Sequence, residues 1–260
     1  MQKRIWITSM SRDKNATAGL LQTGKKYGLT PDGHFWVDEM GKMAWKAPLE
    51  NLLAKDTALW VISATKKDLG KESIRYGLSL LCLCLQNAKG IGFPIMLVTP
   101  DHTLSLDDLP TSLKGCELLK ADDKSLGAKM TARANTPIKN PPADYRINIH
   151  ANPGYGIWYE LGPAKGQVWK GGLAGGLKAE VNAHGVGPKG VLPLKTTLEY
   201  QMQGIKLALG NDEYTAWAVK NFIDEDQSYY VRFAGIPGSI VFGQLPGEEN
   251  EADFNRLDLS

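Results

Sequence analysis

The chain has 260 residues, of which 43% are apolar and 22% charged, with 30 basic against 28 acidic side chains. This is ordinary globular usage: it excludes a fibrous repeat or a disordered polymer, and the length suffices for two domains with a core each. The near-neutral balance, without a long Lys/Arg run, argues against a nucleic-acid partner, and no stretch reaches the ~20 apolar residues of a membrane span.

The opening segment MQKRIWITSMSRDK lacks the sustained apolar core of a signal peptide, so a cytoplasmic protein is expected. Cys82, Cys84 and Cys116 lie in apolar segments without a second pair at metal-ligand spacing, and read as buried thiols of a reducing compartment.

Residues 3–8 (KRIWIT) form an apolar run, followed by the polar loop SMSRDKN and then ATAGLLQTGKKYG with apolar residues at helical spacing: strand, loop, helix. HFWVD (34–38) reads as a second strand and MAWKAPLENLLAKD (43–56) as a helix with Pro48 near its start. TALWVIS (57–63) is nearly continuous in apolar residues, as a strand buried on both faces should be. Residues 69–88 then predict the longest helix, with Leu69, Ile74, Leu78, Leu81 and Leu85 on one stripe. GFPIMLVTP (92–100) is a fourth strand, CELLK (116–120) a short fifth, and KSLGAKMTARAN a closing helix.

Strands alternating with helices at such spacings predict a five-stranded parallel sheet covered on both faces, a flavodoxin-like doubly wound α/β domain over 1–135. In that architecture ligands bind beyond the carboxyl ends of the strands. The loops SMSRDKN, DEMGKMAW and SATKKDLGKES are therefore the candidate site. Three prolines within TPIKNPPADY mark a linker over 136–144. Beyond it, eight short alternating runs between Gly/Pro turns predict a β-sandwich-like domain over 145–246, and PGEENEADFNRLDLS reads as a loose acidic tail from 247 to 260. The runs are YRINIHA, IWYELG, QVWKGG, LKAEVNAH, LEYQMQGIKLAL, YTAWAVKNFI, SYYVRFAG and SIVFGQ. The glycine-dense GLAGGLKAEVNAHGVGPKG lacks the Gly-Lys-Ser/Thr ending of a phosphate loop and reads as tight turns. His150 and His184 are too isolated for a metal site. Trp158, Tyr159, Trp169 and Trp217 could line a carbohydrate face, but alternation in strands also places them in the core, which is the expectation.

Ser9, Ser11, Arg12 and Asp13 follow the first strand, where hydroxyls, backbone N–H groups and a guanidinium could hold a phosphate. Asp13 or Asn15 could instead cap the next helix. Asp38 and Trp45 flank the second loop, placed to hold a ribose and stack on a base, though Trp45 also suits plain packing.

The first half resembles a Toll/interleukin-receptor (TIR) domain. The likeness is carried by IWITSMSRDK, FWVDEMGKMAW, LWVISATKKDLGKESIRYGLSLL, FPIMLV and the Leu-Pro of DDLP, over residues 3–134. It implies a nucleotide site built from Ser9, Arg12, Asp38, Trp45, Ser63 and Arg75. In NAD-cleaving members a glutamate opens a Glu-Leu-x-x-Ala motif on the helix after the third strand and faces the positive charge that develops on the ribose. The aligned segment here is Arg75-Tyr76-Gly77-Leu78-Ser79, a cation in place of that anion. Two unit charges ~4 Å apart interact by ~4 kcal/mol at a surface-like dielectric, so the departure argues against NAD cleavage. Glu72, one turn earlier, is the substitute candidate for a catalytic carboxylate, or else the surface partner of Arg75.

The expected function is accordingly that of a TIR-like protein of intracellular signalling or defence. It would form a homo-oligomer or bind NAD or another nucleotide without catalysis and without a required cofactor, while the β domain meets a protein partner. Two other readings stay open: hydrolysis of NAD or a related N-glycoside through Glu72, and a β-sandwich ligand-binding module carried on an α/β scaffold.

Overall fold

The structure, a computed structural model, describes residues 2–247 and 254–260. The chain divides into two compact units, one running to Pro141 and the other starting at Pro142.

In the first unit the order is β1 (Arg4–Ser9), α1 (Lys14–Lys26), β2 (Thr30–Phe35), two single 3₁₀ turns (Met40–Lys42 and Ala44–Lys46), α2 (Leu49–Leu53) and β3 (Thr57–Ser63). It continues with α3 (Lys66–Leu69), α4 (Glu72–Lys89), β4 (Ile95–Thr99), β5 (Glu117–Lys120) and α5 (Leu126–Asn135). The five strands form one all-parallel sheet in the order β2-β1-β3-β4-β5. Ile5, Ile7, Leu59, Val61, Met96 and Val98 meet Leu20 of α1 and Leu126, Met130 and Ala134 of α5 in one core. On β3, Trp60 donates its indole N–H to Thr8 Oγ1 at 2.8 Å, which pairs two buried polar groups of the central strands. Among the described residues no helix is long and apolar enough to cross a membrane.

Three elements differ from expectation, each for a local reason. The second strand is Thr30–Phe35 rather than 34–38. Its Pro31 is tolerated because β2 is an edge strand, and its Gly33 is required because a Cβ there would lie 2.2 Å from the Ile7 carbonyl oxygen. The helix expected over 43–56 is reduced to the 3₁₀ turn Ala44–Lys46 and the five-residue α2, because Met43 adopts a left-handed conformation (φ 55°) that a helix cannot contain. The long helix starts at Glu72, and Leu69 belongs to a separate turn that Thr65 and Asp68 close reciprocally as a capping box.

The second unit is antiparallel throughout. It comprises β6 (Tyr145–Asn152), β7 (Gly156–Pro163), β8 (Gly172–Leu177), β9 (Val181–Pro188), β10 (Met202–Leu209), β11 (Asp212–Val219), β12 (Gln227–Phe233), β13 (Ser239–Gln244) and β14 (Asn255–Asp258). One sheet has the order β10-β11-β8-β13-β14 and the other β6-β7-β12-β9. The sequence GLAGGL, expected to turn, is the buried central strand β8. Its glycines make room for the other sheet: a Cβ at Gly172 would lie 3.0 Å from Tyr229, and one at Gly176 2.9 Å from Phe233. QVWKGG contributes only a single bridge between Trp169 and Ile223. The tail expected to be loose from 247 pairs as β14 with β13 and buries Leu257 and Leu259, while 248–253 lie outside the described residues.

Candidate functional site

At the carboxyl end of the parallel sheet, Ser9 stands in register with Ser63 on β3 and Phe35 on β2. Parallel strands in register send these side chains to one face, the face of Ile5 and Ile7. Ser9 is buried, and its hydroxyl donates to the Ser11 carbonyl at 2.8 Å while accepting from Thr17 Oγ1 at 3.2 Å. The first bond folds the loop back on the end of β1, and the second ties α1 to β1. Asp13 caps that helix, accepting the N–H groups of Asn15 and Ala16 at 2.9 and 3.0 Å. Arg12 is exposed and Ser63 half-buried, and neither side chain has a hydrogen-bond partner among the described residues.

The second loop is joined to α4 at two depths. At the surface, Ser73 donates to Asp38 Oδ2 at 2.9 Å. Below, a Cβ at Gly77 would come within 2.8 Å of the Trp36 ring and 3.1 Å of Trp45 Cβ, so the helix approaches the loop this closely only because residue 77 has no side chain. Trp45 is 1% exposed. It fills the core and presents no ring face to a ligand.

Arg75 is half-buried and donates to the Asp108 carbonyl oxygen, pinning the segment after β4 onto α4. The Asp108 carboxylate accepts Ser105 N–H and Oγ–H at 2.9 and 3.1 Å and meets Lys66 at 3.4 Å; the Ser105 amide leads in holding its pKa below the usual range. The surface pair of Glu72 with Arg75 is not formed: the guanidinium is turned to the Asp108 carbonyl. Glu72 is exposed without a partner among the described residues. The carboxylates of Asp13, Asp38 and Glu72 at this end all face solvent. Electrostatic stabilisation of a developing cation is weak there, because high dielectric screens it.

His34 on β2 accepts the Trp6 indole N–H at Nδ1, 3.1 Å away, and the rings stack with centroids 5.8 Å apart. Burial lowers its pKa to about 4, so the ring is neutral and carries its proton on Nε2. The three thiols are buried, and burial pushes Cys84 up to about 12 and Cys116 to about 11, which keeps them protonated and unreactive.

A second polar centre, not singled out by the sequence, lies on the outer face of the sheet β6-β7-β12-β9. Asn148 is opposite Glu160, and Glu160 opposite Tyr230; one row along, Arg146, Gly162 and Ser228 align, and on the other side His150, Trp158 and Arg232. Glu160 is 3% exposed. Its carboxylate meets His150 Nε2 at 2.6 Å, accepts from the Gly190 N–H at 2.7 Å and Ser228 Oγ at 2.8 Å, and has Arg146 at 3.6 Å. Burial alone would raise its pKa, but the bonds from His150, Gly190 and Ser228 outweigh it and hold the value near about 2. Arg146 reaches this carboxylate across Gly162, where a Cβ would lie 2.5 Å from the guanidinium carbon. It also donates to Ser228 Oγ at 2.5 Å, to Asp224 O at 2.8 Å and to Gln227 O. The signal in the sequence was the alternation Arg146, Asn148, His150, polar at every second residue of a strand, facing Glu160 and Gly162. Trp158, expected in the core, is on this outer face under the Arg232 guanidinium, 5.3 Å from the ring centroid. Tyr159 and Trp169 are buried as core residues.

Among the described residues no group of three His, Cys, Asp or Glu side chains is placed to hold a metal ion. No protein-family model matches the chain, and no curated protein matches it. What the two centres can do follows from their own geometry.

Proposed function

We propose that the α/β unit is a TIR-like domain of flavodoxin-like architecture that acts in signalling or defence by self-association or nucleotide binding, without cleaving NAD. The strand order β2-β1-β3-β4-β5 supports the architecture, since a doubly wound sheet of this order gathers the loops after β1, β2 and β3 at one end. The observation that carries the non-catalytic reading is Arg75. At the position where the cleaving motif has a carboxylate, this chain has a guanidinium bound to the backbone of the segment after β4. Trp45, buried against α4, supports the same reading. Polar groups left open at this end, Arg12 and Ser63, suit contact with a nucleotide phosphate or with a second copy of the domain. Light scattering of the full chain over a range of concentrations, combined with an assay for nicotinamide release, tests it: mass rising with concentration and no nicotinamide is the expected outcome.

The competing reading, hydrolysis of NAD or a related N-glycoside, is favoured by one observation. Glu72 is an unpaired carboxylate in the first turn of α4, next to the Ser73 to Asp38 bond that links that turn to the second loop. Nicotinamide release that is lost in Glu72→Gln would establish it.

A further inference from the structure

The second unit gathers three loops at one end. β9 closes at Pro188 opposite Gln227, where β12 begins, and β8 begins at Gly172 opposite Val219, where β11 ends. β10 begins at Met202 opposite Ala218 on the same β11. The loops 164–171, 189–201 and 220–226 therefore lie together. The Trp169 to Ile223 bridge joins the first to the third, and the Asn221 side chain joins the third to the second through the Glu199 N–H and Thr197 O. We propose that this end of the β unit docks on a lipid surface, with loop 189–201 and Phe222 entering the boundary between anionic headgroups and acyl chains.

Three observations combine. First, the exposed large apolar side chains of this unit are gathered here. Among its described residues, Val168, Val191, Leu194, Tyr200 and Phe222 are on these loops, and only Tyr155, in the turn between β6 and β7, is at the other end. Apolar side chains clustered in water mark an interaction surface.

Second, their form and flanking charge suit a bilayer. Leu194 is fully exposed, so it projects from the surface and lines no groove. A protein partner must offer a matching pocket to bury such a side chain, whereas the acyl boundary accepts it without one. Lys189 and Lys195 bracket Val191 and Leu194 in the chain, and Lys220 Nζ stands 5.3 Å from the Tyr200 ring centroid. Lysines behind an apolar tip complement anionic headgroups. The one acid of loop 189–201 is Glu199, while Asp224, Glu225 and Asp226 are grouped on the neighbouring loop.

Third, the loop is held in shape. The buried Glu160 carboxylate accepts the Gly190 N–H at 2.7 Å, and the Tyr230 hydroxyl donates to Pro188 O at 2.5 Å. Thr196 Oγ1 accepts the Val186 N–H at 2.8 Å and donates to the Val186 carbonyl at 2.9 Å. The apolar tip is thus presented without the ordering cost of a disordered segment. This inference stands apart from the function proposed for the α/β unit.

The test is co-sedimentation of the full chain with vesicles of phosphatidylcholine alone and of phosphatidylcholine with phosphatidylserine. The expected result is saturable binding to the vesicles containing phosphatidylserine, weaker on phosphatidylcholine alone and weakened by added salt. Leu194→Asp should lower that binding at least about tenfold with an unchanged thermal midpoint, since the side chain touches no core. Lys195→Glu should weaken binding only to the anionic vesicles, and Tyr155→Asp, at the far end of the unit, should bind as wild type. No binding to either vesicle, full binding by Leu194→Asp, or an equal loss in Tyr155→Asp would overturn the proposal. Self-association without lipid that Leu194→Asp abolishes, with no vesicle binding, would overturn it too and assign the face to a second copy of the chain.

Discussion

Gly162→Ala is the smallest change that tests how the β unit is held together. A methyl group at 162 would lie 2.5 Å from Arg146 Cζ and Nη2, so the guanidinium must leave the position from which it reaches Ser228, Asp224 O, Gln227 O and Glu160. Removing one partner of a buried ionic group typically costs about 3–5 kcal/mol. Here the cost falls at the lower end, because Glu160 keeps His150, Ser228 and the Gly190 N–H. Alanine in a strand recovers about 0.5–1 kcal/mol relative to glycine through the unfolded state, leaving a net loss of about 2 kcal/mol. The assay is urea denaturation with hydrogen exchange read at 224–228, and the decisive control is the same substitution in an Arg146→Ala background, where it should be neutral or stabilising. An unchanged or raised midpoint for Gly162→Ala alone would refute the reasoning.

His34 gives the chain a pH dependence of definite sign. Its folded pKa of about 4 lies below the ordinary 6.5, so the unfolded state binds the proton first; the contribution is complete above about 6.5 and is lost as pH falls toward 4. The shift corresponds to at most about 3 kcal/mol, and His34→Gln should flatten the loss seen by urea denaturation between those values. Asp13→Ala removes the cap of α1 and should cost about 1 kcal/mol, with Asp13→Asn retaining most of it, both read from the thermal midpoint.

Strands β1, β3 and β4 are legible in the sequence because a central parallel strand is buried on both faces and must be a continuous apolar run. The edge strand β2 is not: TPDGHF carries a proline, an aspartate and a glycine, and its place is set by register with β1 rather than by its own pattern. The same limit hides β8, where glycines that ordinarily mark turns serve instead as space for Tyr229 and Phe233. Of the candidate site residues, the sequence places Ser9, Asp38, Ser63 and Glu72 at the carboxyl end of the sheet. It cannot show that Trp45 is packed under Gly77 or that Arg75 is bound to Asp108, since both depend on contacts between segments distant in the chain. Glu160 is not legible as a centre in the sequence: a carboxylate in an alternating strand is ordinarily solvated, and only the facing positions of Arg146, His150 and Ser228 make it a buried one.

The account of the α/β unit turns on whether its loop end can cleave an N-glycosidic bond. Wild-type protein incubated with NAD, at concentrations where light scattering shows assemblies, should release no nicotinamide above the buffer level. Release that disappears in Glu72→Gln would contradict the account and make the chain an enzyme.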